Sequence, residues 1–344
     1  MAASLTENQI RDLLSKVSYP GFTRDIISFG VVRGITIGAD ITVQLVIATN
    51  DTGVARQLHD RVMSALSALP GNLPVQVLVD VQSPVQGTTQ GPVSIPGVKH
   101  VIAVASGKGG VGKSTVSVNL AAAFSARGLK VGLCDCDLYG PSVALMCGAK
   151  ERPFADEQGM ILPVECHGLK IMSMGLLLED DSPAVLRGPM VTRYTQQFLR
   201  NVVWGDLDVL VLDLPPGTGD IQLTIVQTIP LTGAVIVTTP QEVALIDARK
   251  AVAMFGKTSV PILGIIENMA YFLSPTDGVK HEIFGSGGGE AEACRLGVPF
   301  LGALPLDPAI RIASDTGSPF LLSAPESPAS AVLKSVSDSL AALL

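Results

Sequence analysis

The residues best suited to chemistry lie together at Gly107-Lys108-Gly109-Gly110-Val111-Gly112-Lys113-Ser114, which fits the phosphate-loop pattern G-x-x-x-x-G-K-[ST]. Such a glycine-rich loop lets backbone N–H groups wrap phosphate oxygens, and a helix starting beyond it adds positive potential. Lys113 is placed to reach the β- and γ-phosphates and the Ser114 hydroxyl to ligate Mg²⁺, with Thr115 completing the nucleotide contact. A second source of chemistry is Asp213, which ends the apolar run Leu207-Asp208-Val209-Leu210-Val211-Leu212 and there would hold Mg²⁺ through a water. Asp208, at the exposed start of that run, reads as solvated. A third is Cys134-Asp135-Cys136-Asp137, where strand alternation puts the two aspartates on one face and the two cysteines on the other. Asp137, nearest the following loop, is assigned to orienting an attacking water, with Asp135 in support. Cys134 and Cys136 read as small buried hydrophobes.

These groups need strands that end beside one another. From Val98 onward, apolar runs alternate with helical segments, as in a parallel sheet covered on both faces. The expected strands are 100–106, 130–135, 169–174, 208–213, 233–238 and 261–267, with a short one near 298–303. Val101–Ala105 leads into the glycine loop, Val116–Ala126 leads out as a helix, and Leu333, Val336, Leu340 and Leu343 form the stripe of a docking helix. Ahead of this lies a smaller unit. A capping box at Thr6-Glu7-Asn8-Gln9 predicts a helix over 6–17, followed by β-branched runs from Ile26 to Ile35 and Ile41 to Ala48, a helix over 54–69 and a strand over 75–81. The fold class is α/β: a mostly parallel P-loop NTPase domain over 98–344, a small N-terminal α+β domain over 1–82, and a Pro/Gly-containing linker over 83–97.

Composition narrows the partners. A net charge of −7 argues against general affinity for nucleic acid or anionic membrane. The mean hydropathy of +0.43 comes without any stretch of about 20 apolar residues, since Ile221–Gln241 is broken by Pro230 and Gly233, so no spanning helix is expected. The first residues carry neither a secretory nor a transit pattern, which leaves a cytoplasmic chain as the expectation. The cysteines, Cys134, Cys136, Cys147, Cys166 and Cys294, are too scattered for a disulfide framework and are expected to be thiols.

Lys108 gives the loop the signature K-G-G-x-G-K-[ST], which resembles the MinD/ParA/nitrogenase-iron-protein class of dimeric ATPases. Asp135-Cys136-Asp137-Leu138-Tyr139-Gly140-Pro141-Ser142 and Asp213-Leu214-Pro215-Pro216-Gly217-Thr218-Gly219-Asp220 extend the match, as do Glu267-Asn268-Met269, Ile283-Phe284-Gly285 and Pro305-Leu306-Asp307-Pro308-Ala309-Ile310-Arg311. Together they closely resemble the Mrp/ApbC family of iron–sulfur cluster carrier ATPases, and residues 6–81 look like the small domain that precedes the ATPase in bacterial members. The resemblance implies ATP and Mg²⁺ as ligands and slow hydrolysis in a homodimer, with Lys108 reaching the partner's phosphates. It also implies contact of Asn268 with adenine, Pro305 and Asp307 alongside it, and iron–sulfur assembly proteins or apo-client proteins as partners. Neither nucleic acid nor membrane is expected.

Where that family carries a Cys-x-x-Cys after the Glu-Asn-Met segment, this chain reads Tyr271-Phe272-Leu273-Ser274-Pro275-Thr276-Asp277-Gly278. Serine and threonine hydroxyls are harder ligands than iron–sulfur clusters prefer and stay protonated near neutral pH. In the small domain, Thr49-Asn50-Asp51-Thr52-Gly53 stands where a cysteine often occurs. Cys147, Cys166 and Cys294 are isolated and His281 reads as a surface residue, so no iron–sulfur ligand is assigned. The alternative reading is a MinD/ParA-like ATP-dependent positioning switch; a non-catalytic adaptor that binds ATP structurally fits less well with Lys108, Lys113, Asp137 and Asp213 all present.

Overall fold

The computed structural model describes residues 6–18, 25–27, 31–38, 40–48, 52–67, 69, 74–82, 92–156, 160–176 and 199–344. It divides into two units, Met1–Gln90 and Gly91–Leu344. The first contains α1 (Glu7–Leu14), β1 (Val32–Ile37), β2 (Ile41–Ala48), α2 (Thr52–Leu66) and β3 (Val75–Gln82). Its sheet runs β1-β2-β3, with β1 antiparallel and β3 parallel to β2, so α2 is the crossover of a βαβ unit. Ile10 and Leu14 of α1 and Leu58, Val62 and Leu66 of α2 pack with Val43, Leu45 and Ile47 of β2.

Helix α1 starts where its cap predicts, the Thr6 N–H donating to Gln9 Oε1 at 3.0 Å, but stops before residue 17. Lys16 and Val17 bond back only three residues, to Leu13 and Leu14, and this tighter turn still buries Val17. Ile26 belongs to a turn rather than to β1; its N–H donates to the Val17 carbonyl and it is fully buried, so burial explains an apolar residue that strand pairing does not. Residues 49–51 of the segment Thr49–Gly53 lie outside the described residues.

The second unit runs β4 (Val98–Ala105), α3 (Lys113–Ala126), β5 (Val131–Asp135), α4 (Val143–Met146), β6 (Val164–Cys166), β7 (Leu169–Ser173) and β8 (Leu207–Asp213). It continues through α5 (Asp220–Thr228), β9 (Gly233–Thr238), α6 (Glu242–Lys257), β10 (Ile262–Glu267), β11 (Phe272–Leu273), β12 (Lys280–His281) and α7 (Gly288–Leu296). It ends with β13 (Phe300–Ala303), α8 (Pro308–Asp315), α9 (Phe320–Ser323) and α10 (Pro328–Ala341). The sheet order is β13-β10-β9-β4-β8-β5-β7-β6, parallel except for β6. Alternation sends Ile102, Val104, Val209 and Val211 into one core and Val101, Ala103, Ala105 and Leu212 into the other, as a sheet covered on both faces requires. Leu333, Val336 and Leu340 of α10 are buried in the first of these cores, whereas Leu343 is exposed.

Residues 92–97 have linker composition yet pack on this unit. The Val93 N–H donates to the Thr228 carbonyl and Ile95 is buried in the same core as Trp204. The edge strand β6 had no apolar run long enough to signal it; the His167-Gly168 pair, with φ of 51° and 73°, turns the chain back onto β7. Among the described residues no helix is long and apolar enough to cross a membrane.

Candidate functional site

The sheet order places β4 between β8 and β9, so the chain leaves β4 at a point where neighbouring connections diverge and a crevice forms at the strands' C-terminal ends. The glycine loop fills that crevice, joining Ala105 at the end of β4 to Lys113 at the start of α3. At Gly107 a Cβ would stand 2.1 Å from the backbone carbonyl of Asp247 in α6. At Gly112, where φ is +83°, it would stand 2.1 Å from Asn268 Nδ2. Both glycines are therefore demanded by close approach as well as by phosphate geometry.

Lys113 is buried. Its Nζ donates to Asp213 Oδ1 at 2.6 Å and lies 3.3 Å from the Ser114 hydroxyl. Ser117, one turn into α3, also donates to Asp213 Oδ1, at 2.6 Å. Asp213 Oδ2 is buried and, among the described residues, has no hydrogen-bond partner. Ser117 was missed from sequence because a serine four residues beyond the loop lysine has no motif of its own; its position one helical turn on is the available signal.

Asp135 lies directly across from Asp213 in the paired strands β5 and β8. Its carboxylate accepts hydrogen bonds from the Ser142 and Val143 N–H groups at 2.9 and 3.1 Å, from the Asp137 N–H at 3.1 Å and from the Ser173 hydroxyl at 2.9 Å. Burial, and then the charge of Asp213, push its pKa up to about 7. A carboxyl raised from 3.8 in the folded state binds its proton more tightly there than in the unfolded chain. Its stabilising contribution is complete below pH 3.8 and is lost as pH rises through about 7. The nucleotide- and Mg²⁺-free protein should therefore lose denaturant stability across that window, and Asp135→Asn should flatten the loss; parallel pH profiles would show that another group is responsible.

The sequence pattern put Asp135 and Asp137 at the end of one strand, but β5 ends at Asp135. Asp137 instead opens the next loop, half-buried, with Oδ1 accepting from the Tyr139 and Gly140 N–H groups at 3.2 Å each. Cys134 and Cys136 do turn the other way into the core, with Sγ atoms 3.9 Å apart. Cys136 is held protonated by its contact with Cys134 and by burial. Asp208 is not simply solvated: it accepts from Lys99 Nζ at 2.7 Å and from the Lys130 N–H at 2.9 Å, and the bond to Lys99 lowers its pKa.

Beside the loop is a cavity of about 300 Å³, lined by Gly112, Thr115, Asn268, Met269, Pro305 and Asp307 among others. Asn268 Nδ2 donates to the Val111 carbonyl at 2.9 Å, while Asp307 caps α8 by accepting from the Ala309 N–H at 2.8 Å. The residues expected around a base thus share one cavity with the end of the phosphate loop. Lys108 is half-buried and, among the described residues, has no ion-pair partner.

The segment after Met269 forms the β11–β12 hairpin. Its polar groups are used in its own turn: the Ser274 N–H donates to Val279 O, the Val279 N–H to Asp277 Oδ1 at 3.0 Å, and the Ser274 hydroxyl lowers the pKa of Asp277. His281 is exposed beside Phe272, with ring centroids 6.5 Å apart. Among the described residues no three His, Cys, Asp or Glu side chains are grouped to hold a metal. Cys147 is buried and pushed up to about 12 by burial, Cys166 is raised for the same reason, and Cys294 is exposed.

A parallel sheet with a strand–glycine-loop–helix at its divergence point defines a P-loop NTPase. The family model described as ParA, NUBPL iron-transfer P-loop NTPase, matches residues 97–341, and the model described as iron-sulfur cluster assembly protein matches residues 7–79. The chain belongs to this iron-transfer P-loop NTPase family, and the segment in front of the matched region is similar to the iron-sulfur cluster assembly model. It is 46% identical over 332 residues to an iron-sulfur cluster carrier protein of Deinococcus radiodurans, covering 95% of this chain and 93% of that protein. A nucleotide-binding protein of Archaeoglobus fulgidus, solved in complex with ADP, is 38% identical with a TM-score of 0.58, covering 65% of this chain and 88% of that one. The cell division ATPase MinD of Pyrococcus furiosus shares the fold at a TM-score of 0.55 and 23% identity, over 71% of this chain and 99% of that one.

Proposed function

We propose that this protein binds Mg·ATP and hydrolyses it slowly as a cytoplasmic homodimer, and that the cycle serves iron–sulfur cluster assembly or transfer. The observation that carries the reading is the buried Lys113–Asp213 pair, set beside a loop whose Gly112 also lines the cavity containing Asn268, Pro305 and Asp307. Asp213 Oδ2, which has no hydrogen-bond partner among the described residues and whose sister oxygen Oδ1 holds Lys113 Nζ, and the Ser114 hydroxyl beside that same ammonium fit a Mg²⁺ ion, which would neutralise charge on the β- and γ-phosphates. Lys113 exchanges its carboxylate partner for phosphate oxygen when nucleotide enters. The loop amides of Gly107 to Ser114 hold the phosphates, and Asn268 sets the base. Asp137 orients the water that forms the new bond to the γ-phosphorus while the bond to the bridging oxygen breaks and ADP leaves. Lys108, which has no ion-pair partner among the described residues, supplies positive charge to the partner's phosphates.

Calorimetry is expected to show saturable Mg·ATP binding, and phosphate-release assays a low turnover that stops with EDTA. Absence of binding at millimolar nucleotide rejects the reading. The positioning-switch alternative is less well supported, because the apolar stripe of α10 is buried in its own domain rather than free for a membrane.

A cluster, on this reading, is cargo handled with partners and is not held at the hairpin in the usual way. The positions at issue carry Ser274, Pro275, Thr276 and Asp277, and the turn already uses the polar groups of Ser274 and Asp277. Anaerobic reconstitution followed by desalting should leave negligible iron and sulfide per chain. A stoichiometric cluster spectrum would overturn this, with Cys134→Ser and Cys136→Ser the first variants to make.

A further inference from the structure

Glu267 is a buried carboxylate, 1% exposed, at the end of β10, and among the described residues it has no ion-pair partner. Its charge is met by the start of α7 instead. Oε1 accepts from the Gly287 N–H at 3.2 Å, and Oε2 accepts from the Gly289 N–H. Free N–H groups and the positive helix end make this a favourable seat for an anion. The glycines there are shaped to it. A Cβ at Gly289 would lie 2.9 Å from Glu267 Cβ, and one at Gly288 would lie 2.6 Å from the Pro240 carbonyl oxygen. Gly287 has φ of +69°. The run Gly287-Gly288-Gly289 therefore lets the helix start close on both Glu267 and the residue pair leading into α6.

The next residue in the chain is Asn268. Its N–H donates to the Thr238 carbonyl at 2.8 Å, while the Leu304 N–H donates to the Glu267 carbonyl at 2.8 Å. Its side chain reaches Val111 O in the phosphate loop, and it lines the nucleotide cavity together with Met269, which is held at φ of +55°. A continuous set of contacts thus runs from the first turn of α7, through Glu267, to Asn268 and the loop.

We infer that Glu267 is a positioning residue: by locking the end of β10 to the first turn of α7 it fixes Asn268 over the base end of the nucleotide cavity. The inference rests on the proposed ATP-binding reading. Glu267→Gln keeps the shape but turns one acceptor into a donor facing a backbone N–H, so the lock opens on one side.

The test measures Mg·ATP and Mg·tripolyphosphate affinities by calorimetry on the full chain, for wild type, Glu267→Gln, Asn268→Ala and the double variant. Each single variant should weaken ATP about tenfold, the double variant no further than Asn268→Ala alone, and tripolyphosphate binding should stay as in wild type. Additive losses, unchanged ATP affinity in Glu267→Gln, or an equal loss for tripolyphosphate, which a merely loosened fold would give, each overturn the lock. Should Glu267→Gln fail to fold, amide exchange in the wild type decides. ATP is expected to slow exchange at Gly287 and Gly289, and no change there overturns the inference. A wild type that binds no ATP removes the proposed function. In that case the lock is judged on ligand-free exchange, which Glu267→Gln should accelerate at those two amides and which, if unaltered, counts against it.

Discussion

Lys113→Ala is expected to abolish useful ATP binding and, in the same step, to destabilise the ligand-free protein. The lysine does two jobs in sequence. Before nucleotide enters, it neutralises Asp213, with side-chain exposures of 7% and 0% for the pair. Removing one partner of a buried pair strands the other charge, at a cost of about 3–5 kcal/mol. After nucleotide enters, the same ammonium faces phosphate, and truncating such a contact costs roughly 2–5 kcal/mol, or about 30-fold to several thousandfold in affinity. The two effects separate in Lys113→Ala/Asp213→Asn, which should recover much of the ligand-free stability, read by denaturant unfolding, while still failing to bind ATP in calorimetry. If the single variant kept its stability, the buried pair would not be the electrostatic anchor that its geometry indicates.

Lys108→Ala should behave in the opposite way, binding ATP normally but losing hydrolysis by roughly 10³-fold, the lower range for a cationic group supplied across an interface. Lys108 has no carboxylate to neutralise among the described residues, so no folding penalty accompanies its removal. Mixing Lys108→Ala with Asp137→Ala subunits tests the shared site directly. In the mixed dimer one of the two sites regains both an intact Asp137 and the partner's lysine, so phosphate release should reappear, whereas each variant alone stays inactive. Mixtures as inactive as their components would rule out a lysine that acts across the dimer.

The order of strands and helices was legible because it depends on local chemistry. Apolar runs mark strands buried on both faces, and the loop from Gly107 to Ser114 is contiguous, so its phosphate chemistry needs no knowledge of distant residues. Boundaries followed less well: α1 closes early in a tighter turn, Ile26 is apolar for burial alone, and residues 92–97 look like linker yet bury Ile95. The sequence also singled out Asp213, Asp137 and Asn268 one at a time, from motif likeness. What it could not contain was their mutual geometry. Only the placement of β8 between β4 and β5 brings Lys113 within 2.6 Å of Asp213, sets Asp135 across from it and leaves Oδ2 without a partner among the described residues. Ser117 carries no motif and Glu267 enters only as a letter of the Glu267-Asn268-Met269 match, so their roles were illegible for the same reason: each acquires its role from a residue or helix end brought near by folding, and neither a serine in a helix nor a glutamate ending a strand carries that information in its local pattern.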